Sequence, residues 1–149
     1  MQEDALLQVV ASDQEHFLRH LRLHLDAHGF DDVEVSTARV SQMRATRLDP
    51  DDPWVGWALD SIHASSGKTP TLLPNLGGSL PNDVFAETLG LPTLWVPHSY
   101  PACSQHAPDE HALASILREG LGIMAGLWWD LGEQGASVHA ARQAMRRSV

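Results

Sequence analysis

The chain has 149 residues, of which 43% are hydrophobic and 19% are charged, and its formal net charge is −9. This length suits one domain with a sizeable core, and the acidic charge argues against a broad electrostatic attraction to nucleic acid or anionic membranes. The longest apolar run, residues 121–129, is far shorter than the ~20 residues of a membrane span. No secretory signal is visible and the single Cys103 excludes an internal disulfide, so we expect a cytoplasmic protein.

The N-terminal part of the chain predicts a strand–helix–strand unit. Residues 5–10 are a short apolar run typical of a buried strand, and Ser12 with Glu15 forms a capping box that begins a helix. Gly29 is a natural stop for this helix. Residues 33–37 alternate apolar or β-branched residues with polar ones, which is typical of a half-buried strand.

The next segment predicts a helix followed by a third strand. Residues 39–51 lack periodicity and indicate a connection. Asp52 as the N-cap and Pro53 in the first turn begin the helix, and Gly67 ends it. Residues 69–73 form the third predicted strand. The predicted buried stripe of this helix consists of Val55, Leu59 and Ile62.

A short helix, a fourth strand and a long helix complete the predicted order. The short helix follows Pro81 and ends at Gly90, residues 93–96 form a near-continuous apolar strand, and Pro108 begins the long helix. Residues 132–149 form a helical or disordered tail. The predicted buried stripe of the long helix consists of Leu113, Ile116 or Leu117, Leu121, Met124, and Leu127 or Trp128. Three glycines within it predict close packing against another backbone: Gly120, Gly122 and Gly126.

The first candidate site is a glycine loop. Gly77 and Gly78 lie between a predicted strand and a predicted helix, where paired glycines place backbone N–H groups near an anion or a carbonyl oxygen. Ser79 adds a hydroxyl group and Asn82 a side-chain amide. The alternative is a tight turn without a ligand. The loop is neither a dinucleotide fingerprint nor a P-loop, because a third glycine and a Lys-Ser/Thr pair are missing.

The second candidate site is the loop from His98 to Ala107. Pro108 disfavours a helix through His106, so this side chain projects from a loop and is a candidate zinc ligand. The alternative is an ordinary polar residue. Cys103 lies between His98 and His106 in the sequence, but nothing indicates that either histidine activates its thiol. A serine hydrolase elbow of the form G-x-S-x-G is absent from the sequence.

Four histidines recur at every fourth position of the first helix: His16, His20, His24 and His28. Such a row binds nickel or zinc adventitiously or forms a solvated helix face, and we favour the solvated face. The H-x-D sequence at His24 is rejected as a metal pair, because residues two apart on a helix face different sides.

Taken together, GGSLPNDVF, LGLPTLWVPHSYPACSQHAPDEH and ILREGL resemble the C-terminal part of the zinc-dependent aminoacylase and carboxypeptidase family. This family includes acetylornithine deacetylase, succinyl-diaminopimelate desuccinylase and glutamate carboxypeptidase. The resemblance implies a metallopeptidase or deacylase that hydrolyses amide or peptide bonds of N-acyl amino acids or small peptides with two bridged zinc ions. It implies that His106 is a metal ligand and that Gly77, Gly78 and Ser79 line the substrate pocket.

The same resemblance implies an α/β fold. Residues 1–47 correspond to part of a lid or dimerisation domain, residues 48–131 to the C-terminal part of the catalytic α/β sandwich, and residues 132–149 to the tail. The family's early H-x-D ligand pair, bridging aspartate and adjacent glutamates have no counterpart in this chain. We therefore expect no stoichiometric dinuclear zinc and no amidase activity from the chain alone, because one histidine does not hold a zinc pair.

Two functional hypotheses follow. In the first, the chain is a truncated C-terminal part of a metallohydrolase and is inactive without its N-terminal half. In the second, it is a non-catalytic dimerisation or binding module derived from that family. An independent enzyme that uses only local residues ranks third. Half of a sheet leaves strand edges and apolar surface uncovered, so we also expect self-association.

Overall fold

The structure, a computed structural model, describes residues 14–36, 43–74 and 80–148. Within these ranges the chain is helical and contains no β-strand, so the predicted α/β fold class is wrong. The helices are α1 (Gln14–Ala27), α2 (Pro53–Ser66) and α3 (Ala114–Arg147), accompanied by a π-helical turn (Val84–Thr88) and a 3₁₀ turn (Pro101–Cys103).

The predicted strands fail where the structure describes them. Residues 33–36, 69–73 and 93–96 pair with no neighbouring strand, while residues 5–10 and Thr37 lie outside the described residues. Pro70 interrupts the run at residues 69–73 and Pro74 follows it, while Pro92 and Pro97 flank the run at residues 93–96. Proline donates no backbone hydrogen bond and restricts the residue before it, so a short apolar run bounded by prolines is a poor sheet strand.

The described residues fall into two compact units, which are treated separately below. The first lies within Met1–Arg47 and Asn75–Thr93, and the second within Leu48–Pro74 and Leu94–Val149. The second unit contains α2 and α3, whose contact is the main helix–helix packing among the described residues.

In the first unit, Arg22 fastens the turn that follows α1. Its guanidinium group pairs with Asp26 one turn later at 2.6 Å and donates to the carbonyl oxygens of Phe30, at 2.7 Å, and Val33. Gly29 adopts φ +80°, a left-handed conformation that glycine reaches without the steric cost of a side chain. The helix and its glycine stop are therefore confirmed, while Ser12 of the predicted capping box lies outside the described residues.

The short helix predicted after Pro81 is a π-helical turn. The Leu89 N–H donates to the Val84 carbonyl oxygen at 3.0 Å, and Gly90 follows with φ +66°. Arg44 ties a second segment of the same unit to this turn, because its guanidinium group lies 2.9 Å from the Glu87 carboxylate.

In the second unit, the predicted ends of α2 are confirmed. Asp52 is the N-cap, and its Oδ1 accepts a hydrogen bond from the Trp54 N–H at 3.0 Å. Pro53 occupies the first turn, where its missing N–H group has no intrahelical partner to lose. Gly67 is the C-cap with φ +67°, and its N–H donates to the His63 carbonyl oxygen at 2.8 Å.

The α2 and α3 helices pack antiparallel. The start of α2 meets the C-terminal part of α3 through Asp52 and Arg142, and its end lies against Gly126 through Ser65. Beyond the C-cap, Lys68 binds Glu119 with a distance of 2.8 Å between Nζ and Oε1. Rising residue numbers on α2 therefore meet falling numbers on α3.

The buried part of this packing is small and contains an ion pair. The Arg142 Nε lies 2.7 Å from Asp52 Oδ2, and the two side chains are only 9% and 8% exposed. The same carboxylate thus caps α2 with one oxygen and binds α3 with the other. The buried residues among those described are Val55, Ala58, Cys103, Asp52, Ser61, Gly120 and Arg142.

Replacing Arg142 with methionine tests this pair. The substitution leaves the Asp52 carboxylate buried without its cation, so we expect the free energy of unfolding to fall by about 3 kcal/mol. Urea denaturation measures the change, and Arg146→Met, an exposed position in the last turn of the same helix, is the matched control. A loss below ~0.5 kcal/mol for Arg142→Met would show that the pair does not hold the two helices together.

The glycines of α3 offer a second test. A Cβ atom at Gly126 would collide with the Ser65 side chain of α2, whereas a Cβ atom at Gly122 meets open space. Alanine favours a helix over glycine by about 1 kcal/mol, so Gly122→Ala should stabilise the protein by up to this amount. Gly126→Ala should destabilise it in the same denaturation experiment. Equal stabilisation by both would contradict the close approach of α2.

Candidate functional site

The predicted glycine loop lies outside the described residues, which include neither Gly77 and Gly78 nor Ser79. Asn82, the fourth predicted substrate-binding residue, belongs to the first unit and is half-buried. Its side-chain Nδ2 donates to the Thr46 hydroxyl group. Within this unit the amide therefore ties the segment around Thr46 to the turn that follows Pro81.

His106, the predicted metal ligand, belongs to the second unit and is exposed in a loop. Its backbone is left-handed, with φ 62°, and its N–H donates to Glu110 Oε2 at 3.2 Å. Ser104 and Asp109 are also left-handed. No cluster of three or more His, Cys, Asp or Glu side chains with metal-binding geometry occurs in residues 14–36, 43–74 and 80–148.

A tyrosine–histidine pair closes the same loop. The Tyr100 hydroxyl group lies 2.8 Å from His111 Nε2, and His111 Nδ1 lies 2.8 Å from the Asp109 carbonyl oxygen. A carbonyl oxygen only accepts hydrogen bonds, so Nδ1 carries the proton and Nε2 accepts from Tyr100 in the neutral ring. Both nitrogens of His111 are therefore engaged in holding the loop closed.

Two further residues of this loop have structural roles. Cys103 is buried, its N–H donates to the Tyr100 carbonyl oxygen at 3.0 Å, and its own carbonyl oxygen accepts from the His111 N–H at 3.0 Å. The His98 ring occupies the space beside Gly120, where a Cβ atom would collide with it. Gly120 and Gly126 of α3 are thus closely packed, but against the side chains of His98 and Ser65 rather than the predicted backbone, and Gly122 meets open space.

The histidine row of α1 forms an exposed face, since His16, His20, His24 and His28 are all exposed. The rings of His24 and His28 stack with centroids 4.1 Å apart, and His28 Nδ1 lies 2.7 Å from the His24 carbonyl oxygen. This arrangement agrees with the solvated face that the sequence favours.

The most unusual surface of the described chain lies on α3. Five large apolar side chains repeat at intervals of four, three, four and three residues and are all exposed, which is the spacing of a coiled-coil seam. Trp128 is 70% exposed and Leu121 is 72% exposed, while Trp129 beside them is 73% exposed. We call this surface the α3 face, and it consists of Leu117, Leu121, Met124, Trp128 and Leu131, with Trp129 at its edge.

A second stripe on α3, with the same spacing, is less exposed. It contains Ile116, Gly120, Ile123 and Leu127, which are buried or half-buried. Each residue precedes a member of the α3 face by one position, so the two stripes lie about 100° apart around the helix. One side of α3 is thus packed within the second unit, and the neighbouring side is open.

The single buried stripe predicted for the long helix is therefore wrong. That prediction combined Ile116 and Leu127, which are half-buried, with Leu121 and Trp128, which are mostly exposed. The width of the apolar arc around the helix distinguishes a helix that contacts one partner from a helix that contacts two. A helix that contacts one partner needs an apolar stripe of about 100°, and two adjacent stripes indicate a second partner.

No charged residue lies between Glu119 and Asp130, so the ten helix residues 120–129, which include the centre of the α3 face, are neutral. Its two tryptophans alone expose roughly 300 Å², which is already the size of the largest apolar patch on a typical monomeric protein. Such a patch is typical of a surface that contacts another molecule.

The chain matches no protein-family model, and significant matches were found neither among curated proteins nor among solved structures. None of the helices in the described ranges combines the length and apolarity of a membrane span.

The closed loop generates a third prediction. Replacing Tyr100 with phenylalanine removes the donor to His111 Nε2 and should cost about 1 kcal/mol of unfolding free energy. Long-range ¹H–¹⁵N NMR should show His111 protonated on Nδ1 in the parent chain and perturbed in Tyr100→Phe. His106, which lies in the same loop but outside the Tyr100–His111 pair, serves as the internal control and should keep its shifts. A His111 ring protonated on Nε2 in the parent chain would contradict the assignment.

Proposed function

We propose that the chain is a non-catalytic dimerisation module in which two copies associate through the α3 face. The observation that carries this proposal is the two-heptad apolar seam, exposed along α3 while the neighbouring stripe is packed. A seam of this spacing inserts its side chains between those of a second helix. The exposed Trp128 and Trp129 are of a residue type that is enriched in the energetic centres of protein interfaces.

The free energy gained by covering the α3 face is comparable with the free-energy cost of association. At ~25 cal/mol per Å², covering roughly 300 Å² of indole surface contributes about 7 kcal/mol per copy. Association costs about 4–15 kcal/mol in lost freedom of motion. The tryptophans alone therefore offset much of this cost, and the three leucines and Met124 supply the surplus.

The α3 helix also holds the face in a defined shape. It is 34 residues long, and the segment from Asp52 to Lys68, which contains α2, packs along its other side from Arg142 to Glu119. An already formed helix loses little conformational entropy on binding, which favours affinity. The neutral centre of the face suits an interface core, where charged residues are depleted.

The zinc-dependent hydrolysis implied by the sequence resemblance stays a prediction. Its pocket loop, residues 77–79, lies outside the described residues, and no contact of His106 favours a metal there. Metal analysis after dialysis against a chelator is the relevant measurement. Two tightly held zinc ions per chain would support a catalytic role, and we expect the chain alone to retain none.

Replacing Leu121 with glutamate tests the dimerisation proposal. A dimer with two-fold symmetry carries the change twice, and each copy loses the burial of a leucine and gains a desolvated charge. We expect the dissociation constant, measured by sedimentation equilibrium, to rise at least about 100-fold. The helical circular dichroism signal should persist, because Leu121 is 72% exposed in the single chain.

Ala140→Glu is the matched control, because Ala140 is an exposed alanine of α3 that lies beyond the face. It should leave the dissociation constant unchanged within about twofold. A parent chain that stays monomeric at hundreds of micromolar would contradict the proposed function, and so would equal effects of the two variants.

A further inference from the structure

We infer that His24 and His28 form a two-histidine site for a late first-row transition-metal ion, Cu²⁺ or Zn²⁺, at the C-terminal end of α1. The site belongs to the first unit and does not depend on the proposed dimerisation through the α3 face. Two imidazole nitrogens hold the ion, and water completes its coordination. The four histidines of the α1 row are not equivalent, and the structure distinguishes this pair from the others.

The first argument is the position of the two rings. Residues four apart on a helix are neighbours on one face. The His24 and His28 rings are in contact, with centroids 4.1 Å apart and planes tilted by 33°. Two nitrogens bound to one zinc ion lie about 3 Å apart, since each Zn–N bond is about 2.0–2.1 Å long. Rings already in contact reach this separation through a small rotation of one of them.

The second argument is the hydrogen bond of the His28 ring. Its Nδ1 lies 2.7 Å from the His24 carbonyl oxygen. The carbonyl oxygen only accepts, so Nδ1 carries the proton and Nε2 of the neutral ring keeps its lone pair. Metal-binding histidines almost always donate their second N–H group in this way, which fixes the tautomer and the ring orientation. Within the described parts of the chain no hydrogen bond engages the His24 ring, so it can turn towards the ion.

The third argument is the turn that holds His28 in place. The His28 N–H donates to the Leu25 carbonyl oxygen at 3.1 Å, and Arg22 binds the Phe30 carbonyl oxygen at 2.7 Å. The positive charge of Arg22 is matched by Asp26 at 2.6 Å, which reduces its repulsion of a bound cation. The C-terminal end of a helix also carries a partial negative charge, which favours a cation there.

The pair of His16 and His20 lacks these features. Its ring centroids are 6.1 Å apart, and Arg19 Nη2 lies 3.1 Å from His20 Nε2. A guanidinium group only donates hydrogen bonds, so the lone pair of His20 Nε2 is occupied and a cation lies beside it. A metal ion at His20 therefore competes with Arg19. The same helix thus supplies a matched comparison for the proposed site.

The ligand set defines which metals bind and how tightly. Imidazole suits Cu²⁺, Ni²⁺ and Zn²⁺, with Cu²⁺ the strongest of the three, whereas Mg²⁺ and Ca²⁺ prefer oxygen ligands. A structural zinc site uses four protein ligands, so a site with two holds its ion more weakly and releases it to a chelator. The site is therefore distinct from the dinuclear zinc centre of a hydrolase.

Site-resolved NMR tests the inference on the parent chain. Long-range ¹H–¹⁵N spectra follow its nine histidines during titration with Zn²⁺ at about pH 7.5, where imidazole is mostly neutral. We expect the ring nitrogens of His24 and His28 to shift first and together, and Mg²⁺ to leave them unchanged. Equal shifts at all histidines, or earlier shifts at His16 and His20, would overturn the inference.

Alanine variants test the same pair by isothermal titration calorimetry with Cu²⁺. His24→Ala and His28→Ala each leave one imidazole at the site, so the dissociation constant should rise at least about tenfold. His16→Ala, the matched control, should change it less than about twofold. All three histidines are exposed, so the helical circular dichroism signal should persist in every variant. Equal weakening by all three substitutions, or unchanged binding in His24→Ala, would refute the site.

Discussion

The second unit depends on the Asp52 carboxylate, which forms two interactions at once. One oxygen caps α2, and the other binds Arg142 near the end of α3. Because the first contact begins a helix and the second fixes that helix against another, the pair sets both the start of α2 and its register along α3. The contact of Ser65 with Gly126 and the bridge from Lys68 to Glu119 follow from this alignment.

This packing uses only one side of α3. The described chain buries few apolar side chains, and α2 contains buried Trp54 and Trp57 Nε1 atoms and a buried Ser61 hydroxyl group without a hydrogen-bond partner among the described residues. Each such atom costs roughly 1–3 kcal/mol. A second copy that covers the α3 face would add the apolar burial that the single chain lacks, so folding and association would stabilise each other.

The sequence predicted the parts of the fold that local chemistry determines. Asp52, Pro53 and Gly67 mark the two ends of α2, and Gly29 marks the end of α1. A strand depends on a partner that the local sequence does not specify, and the apolar runs at residues 69–73 and 93–96 have none in the structure. Local sequence patterns likewise did not predict the buried ion pair between Arg142 and Asp52, which lies 90 residues earlier in the chain.

The candidate site could be predicted only in part from the sequence. The apolar spacing along α3 was visible, but periodicity does not reveal which of two adjacent stripes a second helix covers, and tertiary packing decided between Leu127 and Trp128.

The most direct test is oxidative footprinting of the parent chain at low and high protein concentration. The account predicts that Trp128 and Trp129 become protected as the concentration rises, while Trp95, which is 49% exposed and lies outside the face, stays reactive. Equal oxidation of Trp128 and Trp129 at every concentration would contradict it.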